Sequence, residues 1–208
     1  MSHLRFSGLP AQEQQDVFLG IIRNSSLLND VLSRAQQLNL PDWYIVSGAL
    51  YNLVWNVLTG RPETHGIKDI DLFYYDGADL SYEAEDRIIK AGDEVFSGVP
   101  LPVEIRNQAR VHLWFEKHFG QTYAPLQSSE EGIARFASKT HAVGIRLKPD
   151  GQLKLYAPFG LDDIFSLRIT PNPVIDNRIT HHQKALRAQK NWPEVTVVPW
   201  HEAVASHS

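Results

Sequence analysis

No cysteine occurs in the 208 residues, which removes a disulfide framework, a thiolate nucleophile and a thiolate zinc site together. Long hydrophobic runs are missing too. No apolar stretch approaches the roughly 20 residues that a membrane-spanning helix needs, and Met1 to Gly8 lack the apolar core of a secretory signal. The expectation is a cytoplasmic protein with no membrane partner. Positive charge is not in surplus: 20 Lys and Arg stand against 24 Asp and Glu, for a net charge of -4. No global field draws nucleic acid, so that partner is not expected, although a local basic groove is compatible with the balance. What is plentiful is core material. With 43% hydrophobic and 10% aromatic residues the chain has enough core material for one domain, alone or with a helical extension.

Apolar periodicity and breakers divide the chain into elements. Pro10 starts a helix carrying Val17, Ile21 and Ile22, and after Asn24-Ser25-Ser26 a second runs from Leu27 to Leu38. This helical segment, residues 1–40, is expected to pack on a core of residues 41–175, with 176–208 supplying a C-terminal helix and tail. Trp43 to Val46 reads as a short buried strand leaving through Ser47-Gly48 into a helix from Ala49 to Leu58. A breaker-rich loop, Thr59 to Gly66, leads to a strand spanning Ile67 to Tyr75. Leu80 to Val95 is a charged helix and Leu101 to Arg106 a third strand. A helix from Val111 to Phe119 follows, then a helix capped by Ser128 or Ser129, and a hairpin of Ala142 to Arg146 with Gln152 to Tyr156. Leu161 to Leu167 and Ile175 to Lys190 are helical, and the tail from Trp192 has no clear element beyond Glu194 to Val198. The order helix-helix, then β-α-β-α-β, then helices and a hairpin predicts an α+β or α/β fold, a small mixed sheet with packed helices.

Within the middle strand, Asp69 and Asp71 stand two residues apart and turn to the same face. Two neighbouring carboxylates repel and resist burial unless a cation or a proton intervenes. Glu104, between Val103 and Ile105 on the next strand, supplies a third acid. An oxygen-only set of this kind suits Mg²⁺ or Mn²⁺, and the third carboxylate suits activation of a hydroxyl. Gly48, at a strand-to-helix turn, lets a phosphate approach free backbone N–H groups. Each signal has a plainer reading: Asp-x-Asp is common at strand ends, and Glu104 has Arg106 and Arg110 nearby for a surface ion pair.

A glycine turn opening a helix, then Asp-hydrophobic-Asp on a strand, then a lone acid on a third strand resembles the polymerase-β-type nucleotidyltransferase superfamily. Val46 to Asn56, the Asp69-Ile70-Asp71 strand and Glu104 to His112 are similar, more narrowly, to its bacterial nucleotidyltransferase-like family. The resemblance runs from Trp43 to Pro173. It implies Mg²⁺-dependent transfer of a nucleoside monophosphate from an NTP to a hydroxyl acceptor, small molecule or protein, with release of pyrophosphate. It also implies roles: Asp69, Asp71 and Glu104 as metal-binding and catalytic carboxylates, and Gly48 at the phosphate turn. Ser47, Arg106 and Arg110 are further candidates for the nucleotide. Two positions depart from the usual pattern. Ala49 stands where a Gly or Ser usually follows the motif glycine, and the long interval from Gly48 to Asp69 requires the intervening loop to bulge outward. These departures carry the alternative of a catalytically silent nucleotide-binding or protein-interaction module that keeps the fold.

The remaining polar residues get plainer expectations. Lys68 should point to the opposite strand face from the Asp pair. His181 and His182 are adjacent and do not share a helical face, so both are expected at the surface. The basic late helix with Arg178, Lys184, Arg187 and Lys190 reads as a solvated face, and Trp43, Trp55 and Trp114 as core.

Overall fold

The computed structural model describes residues 2–201; the last residues of the expected tail lie outside this range. Two helices open the chain, α1 (Ala11–Asn24) and α2 (Ser26–Gln37). Ser25 separates them and caps the second, its Oγ accepting from the Leu28 N–H at 3.0 Å. Strand β1 (Tyr44–Val46), helix α3 (Gly48–Thr59) and strand β2 (Ile70–Tyr74) follow. Next come α4 (Tyr82–Val95) and β3 (Val103–Asn107), then α5 (Val111–Phe119) and α6 (Ser129–Ala134). The hairpin is β4 (Gly144–Leu147) with β5 (Leu153–Tyr156). The chain finishes with α7 (Asp162–Phe165), β6 (Arg168–Ile169), α8 (Arg178–Asn191) and β7 (Thr196–Val197).

Five strands form one sheet in the order β3-β2-β1-β4-β5, with β2 and β3 parallel and the other neighbours antiparallel. The fold is therefore α+β with a mixed sheet, as the order of elements predicted. The pairing of β6 with β7 as a small parallel ladder was not foreseen; two-residue strands leave no periodicity to read. The second strand is also shorter than expected. It begins at Ile70, so Ile67, Lys68 and Asp69 are its approach rather than part of it.

Side-chain alternation divides the work of the sheet. Ile45, Ile70 and Leu72 point to one face and are fully buried with Phe18, Ile22, Leu28 and Trp55 from α1, α2 and α3. Burial at roughly 25 cal/mol per Å² of apolar surface makes this face the main source of stability. On the opposite face, Tyr44, Val46 and Phe73 meet Ile133, Phe136 and Ala142. Asp71 lies between Ile70 and Leu72 in β2, and it shares this second face. Helices α6 and α8 cover that side, and it is where the candidate site lies.

The loop from Gly60 to Asp69 does not bulge outward. The Asn56 carboxamide, fully buried, donates to the carbonyls of Glu63 and His65 at 2.9 Å each and accepts from the Trp192 indole at 2.9 Å. Gly66, at φ +69°, lies so close to Trp192 that a Cβ would come within 2.4 Å of the ring. Arg61 holds Glu194 through two hydrogen bonds of 3.1 Å. The long interval is thus folded inward and tied to the end of α8.

Candidate active site

A narrow cleft of about 70 Å³ opens between the start of α3, the approach to β2 and the middle of α8, and Gly48, Asp69, Asp71 and Lys184 line it. One wall is a strained turn. Ser47 holds φ +55° and ψ -114°, a conformation that L-residues adopt only at a cost of order 1–3 kcal/mol. The turn is held by the Ser47 N–H donating to Val143 at 2.8 Å and by the Ser47 carbonyl accepting from Leu50 and Tyr51. The residue in the glycine-favouring conformation is therefore Ser47, and Gly48 is the first residue of the helix. This shifts the expected register by one. The position directly after that turn is occupied by Gly48, and Ala49 is buried as the second residue of α3.

No side chain caps α3 and its first turn carries no acidic residue. Its positive end is left for an anion. Ser47 Oγ and Asn52 Oδ1, both on residues that line the cleft, are buried and have no hydrogen-bond partner. Buried polar atoms normally find partners, and these two, beside an uncapped helix end, have free hydrogen-bonding capacity facing the cleft. Gly48 adds to this. A Cβ there would meet only Asn52 Nδ2, at an ordinary 3.8 Å, so internal packing does not demand glycine at this position.

The other wall is acidic. Asp71 stands opposite Glu104 in the parallel pairing of β2 with β3, and Asp69 enters the cleft just before the strand. Burial pushes the Asp71 carboxyl up from the ordinary 3.8 to about 6; Asp69 and Glu104 push the same way, and the ammonium of Lys184 opposes them. Each acid has a cation nearby. Lys68 pairs with Asp69 at 3.2 Å, Arg106 with Glu104 at 3.2 Å, and Lys184 faces Asp71 across the cleft. Like charges on adjacent strands repel, and the Glu104 carboxylate, 43% exposed, leans to Arg106. Among the described residues no three acidic or histidine side chains form a ready-made metal-binding group. What the cleft holds is a pair of carboxylates with a third in register beside it.

Several expected roles need relocation. Arg110 is not at the cleft: it donates to the Leu80 carbonyl at 3.0 Å and pairs with Glu85, joining the end of β3 to α4. Lys68 lines the cleft with Asp69 rather than facing away, because that stretch precedes the strand and does not alternate. His181 is buried, with Nδ1 2.8 Å from the Ser138 hydroxyl. Trp114 is 45% exposed and is no part of the main core, unlike Trp43 and Trp55.

The residues that sequence reasoning missed are on α8. Lys184 and Arg187 reach the cleft, with Ala188 and Trp192 forming its floor. Their signal was present: His181, Ala185, Ala188 and Trp192 recur at helical spacing and are buried. Lys184 sits beside that stripe and not on the solvated face.

A mixed sheet with Asp71 on β2 and Asp69 on the approach to it, facing an uncapped helix behind a strained turn, has the features of a nucleotidyl-transferring fold. The family model described as Nucleotidyltransferase matches residues 33–197, and the chain belongs to that family. Its fold is shared with a solved NMR structure whose description reads as revealing a CCA-adding enzyme head domain. The TM-score is 0.73 and the identity 25%, over 94% of this chain and 99% of that one. None of the curated proteins matches the chain.

Proposed function

We propose that the protein is a metal-dependent nucleotidyltransferase that moves a nucleoside monophosphate from an NTP to a hydroxyl acceptor and releases pyrophosphate. The observation that carries this reading is the meeting, in one cleft, of an acidic pair with an uncapped helix end and the unpartnered polar atoms of Ser47 and Asn52. The donor set fits the group the family implies. Asp69 and Asp71, with Glu104 in register on the next strand, offer hard oxygen ligands of the kind Mg²⁺ or Mn²⁺ prefers. Those three would hold the ion, which when bound supplies charge neutralisation along the triphosphate.

The chain's own residues divide the remaining work. The α3 N-terminus, Ser47 Oγ and the cations of Lys184 and Arg187 hold the β- and γ-phosphates. Glu104, the most accessible of the three acids, takes the proton as the acceptor oxygen attacks the α-phosphorus. The bond from that phosphorus to the bridging oxygen breaks, and pyrophosphate leaves. Lys184 counters the two Asp charges in the resting cleft.

The test is incubation with each NTP, Mg²⁺ and a panel of hydroxyl acceptors, including the protein itself, with pyrophosphate release as the readout. Replacing both Asp69 and Asp71 by Ala is expected to lower turnover by about 10³-fold or more; unchanged turnover overturns the mechanism. Tight NTP binding without transfer to any acceptor would instead favour a silent nucleotide-binding module.

A further inference from the structure

A second groove, of about 210 Å³, opens on the same side of the molecule. Trp114, Phe115 and Phe119 of α5, Tyr123, and Phe136 beyond α6 line it, and Lys184 closes it on the cleft side. Trp114 and Phe119 are 45% and 42% exposed, an unusual display of aromatic surface. Two cations sit on the ring faces, Arg135 at 5.0 Å from the Tyr123 centroid and the Lys184 ammonium at 5.6 Å from that of Phe136. Phe136 stacks on Phe73 at 5.6 Å and 21°. Phe73 lies two residues beyond Asp71 on the same strand face, so groove and cleft are neighbours on one sheet surface.

From these observations we infer that the groove holds the nucleobase of the donor NTP, an inference that rests on the nucleotidyl-transfer reading of the cleft. Lys184 lines both spaces, so a nucleotide with a phosphate at its ammonium has the larger aromatic groove beside it for its base. Helix α8 spans both, from Thr180 in the groove to Ala188 in the cleft. That is about 12 Å at 1.5 Å per residue, the scale of one extended nucleotide. Aromatic faces with adjacent cations recognise the π-face of any base, so the groove selects for the presence of a base more than for its identity.

The experiment is calorimetric titration of the full chain, in Mg²⁺, with inorganic tripolyphosphate and with each of the four NTPs. Every NTP is expected to bind about tenfold or more tighter than tripolyphosphate, and Trp114→Ala to erase that advantage while leaving tripolyphosphate affinity unchanged. Phe119→Ala, at another exposed position, carries the same expectation and decides the matter if Trp114→Ala does not fold. Equal affinity for NTP and tripolyphosphate overturns the groove and leaves the phosphate cleft standing. NTP binding that depends on Trp114 without any tripolyphosphate binding does the reverse. A Trp114→Ala effect confined to the KM of the acceptor gives the groove to the acceptor and overturns the inference, and binding of neither probe removes both readings.

Discussion

Two ends of one sheet face carry charged side chains, half-buried at one end and largely buried at the other, and they treat them in opposite ways. At the hairpin end, Glu130 accepts from Lys154 at 2.7 Å and from the Tyr44 hydroxyl. Arg146 and Lys154 lie over the Tyr44 ring at 5.2 and 5.6 Å. Burial pushes Glu130 up, but the hydrogen bonds from Lys154 and Tyr44 outweigh it and leave the carboxyl below its usual range. At the α3 end, burial and two like charges hold Asp71 up near 6, a strained Ser47 sits alongside, and two polar atoms lack partners. The Glu130 carboxylate thus finds its partners within the protein, whereas the polar atoms around Asp71 do not. A structural charge cluster is satisfied internally, whereas a binding site keeps its unsatisfied groups for the ligand and accepts the cost in stability.

The two ends therefore respond to pH with opposite sign. Between about pH 4 and pH 6 the folded chain keeps a proton on Asp71 that the unfolded chain has released, so this site loses stability as pH rises through that window. Asp71→Asn is expected to stabilise the metal-free protein at pH 8 by about 2–3 kcal/mol and to flatten the dependence between pH 4 and 6. Urea unfolding across pH checks it, and a destabilised variant would make Asp71 a structural residue. Glu130 works the other way. Its contribution is present above the ordinary glutamate value near 4.5 and is lost as pH falls through its lower folded value. Glu130→Gln is expected to cost about 1–2 kcal/mol at pH 7, discounted for partial exposure, with NTP affinity unchanged. A large loss of NTP affinity would erase the distinction between the two ends.

How far the sequence revealed this contrast depends on the range of the interactions. The positions of Asp71 and Glu104 on neighbouring strands, and the turn before α3, were legible because strand alternation and a helix start are local; Asp69 lies before β2, where alternation does not hold. The five main strands were legible for the same reason. The sequence did not place Lys184 and Arg187, which arrive in the cleft from more than a hundred residues away on a helix that composition alone describes as solvated. Nor did it show that Arg110 would be claimed by Glu85, since several acids compete for each arginine and only the packing of α4 on β3 settles the choice. The one-residue shift at Ser47 was hidden because a glycine next door offered the simpler explanation for a tight turn.

That turn gives a smaller test of the same contrast. Ser47→Gly relieves the positive φ and is expected to stabilise the protein by about 1 kcal/mol, read as a rise in Tm. Because it also removes the unpartnered Oγ from the cleft, tripolyphosphate affinity is expected to fall even as stability rises. Stability and affinity falling together would mean that Ser47 holds the fold and not the ligand.

The smallest expected change in stability belongs to Gly48→Ala, and it separates packing from binding most cleanly. The added methyl meets only Asn52 Nδ2 at 3.8 Å, and alanine favours a helical position over glycine. Folding free energy is therefore expected to stay within about 0.5 kcal/mol of the parent or rise slightly. Gly48 lines the cleft with Ser47 and Asn52, on the surface proposed for the phosphates. NTP and tripolyphosphate affinities are expected to drop in parallel, by about tenfold, because a phosphate oxygen can no longer approach the α3 backbone. Parallel loss locates the effect at the phosphates, whereas loss for NTP alone would move the triphosphate away from α3. Full retention of both affinities would leave the glycine as a feature of the chain's turn with no part in binding.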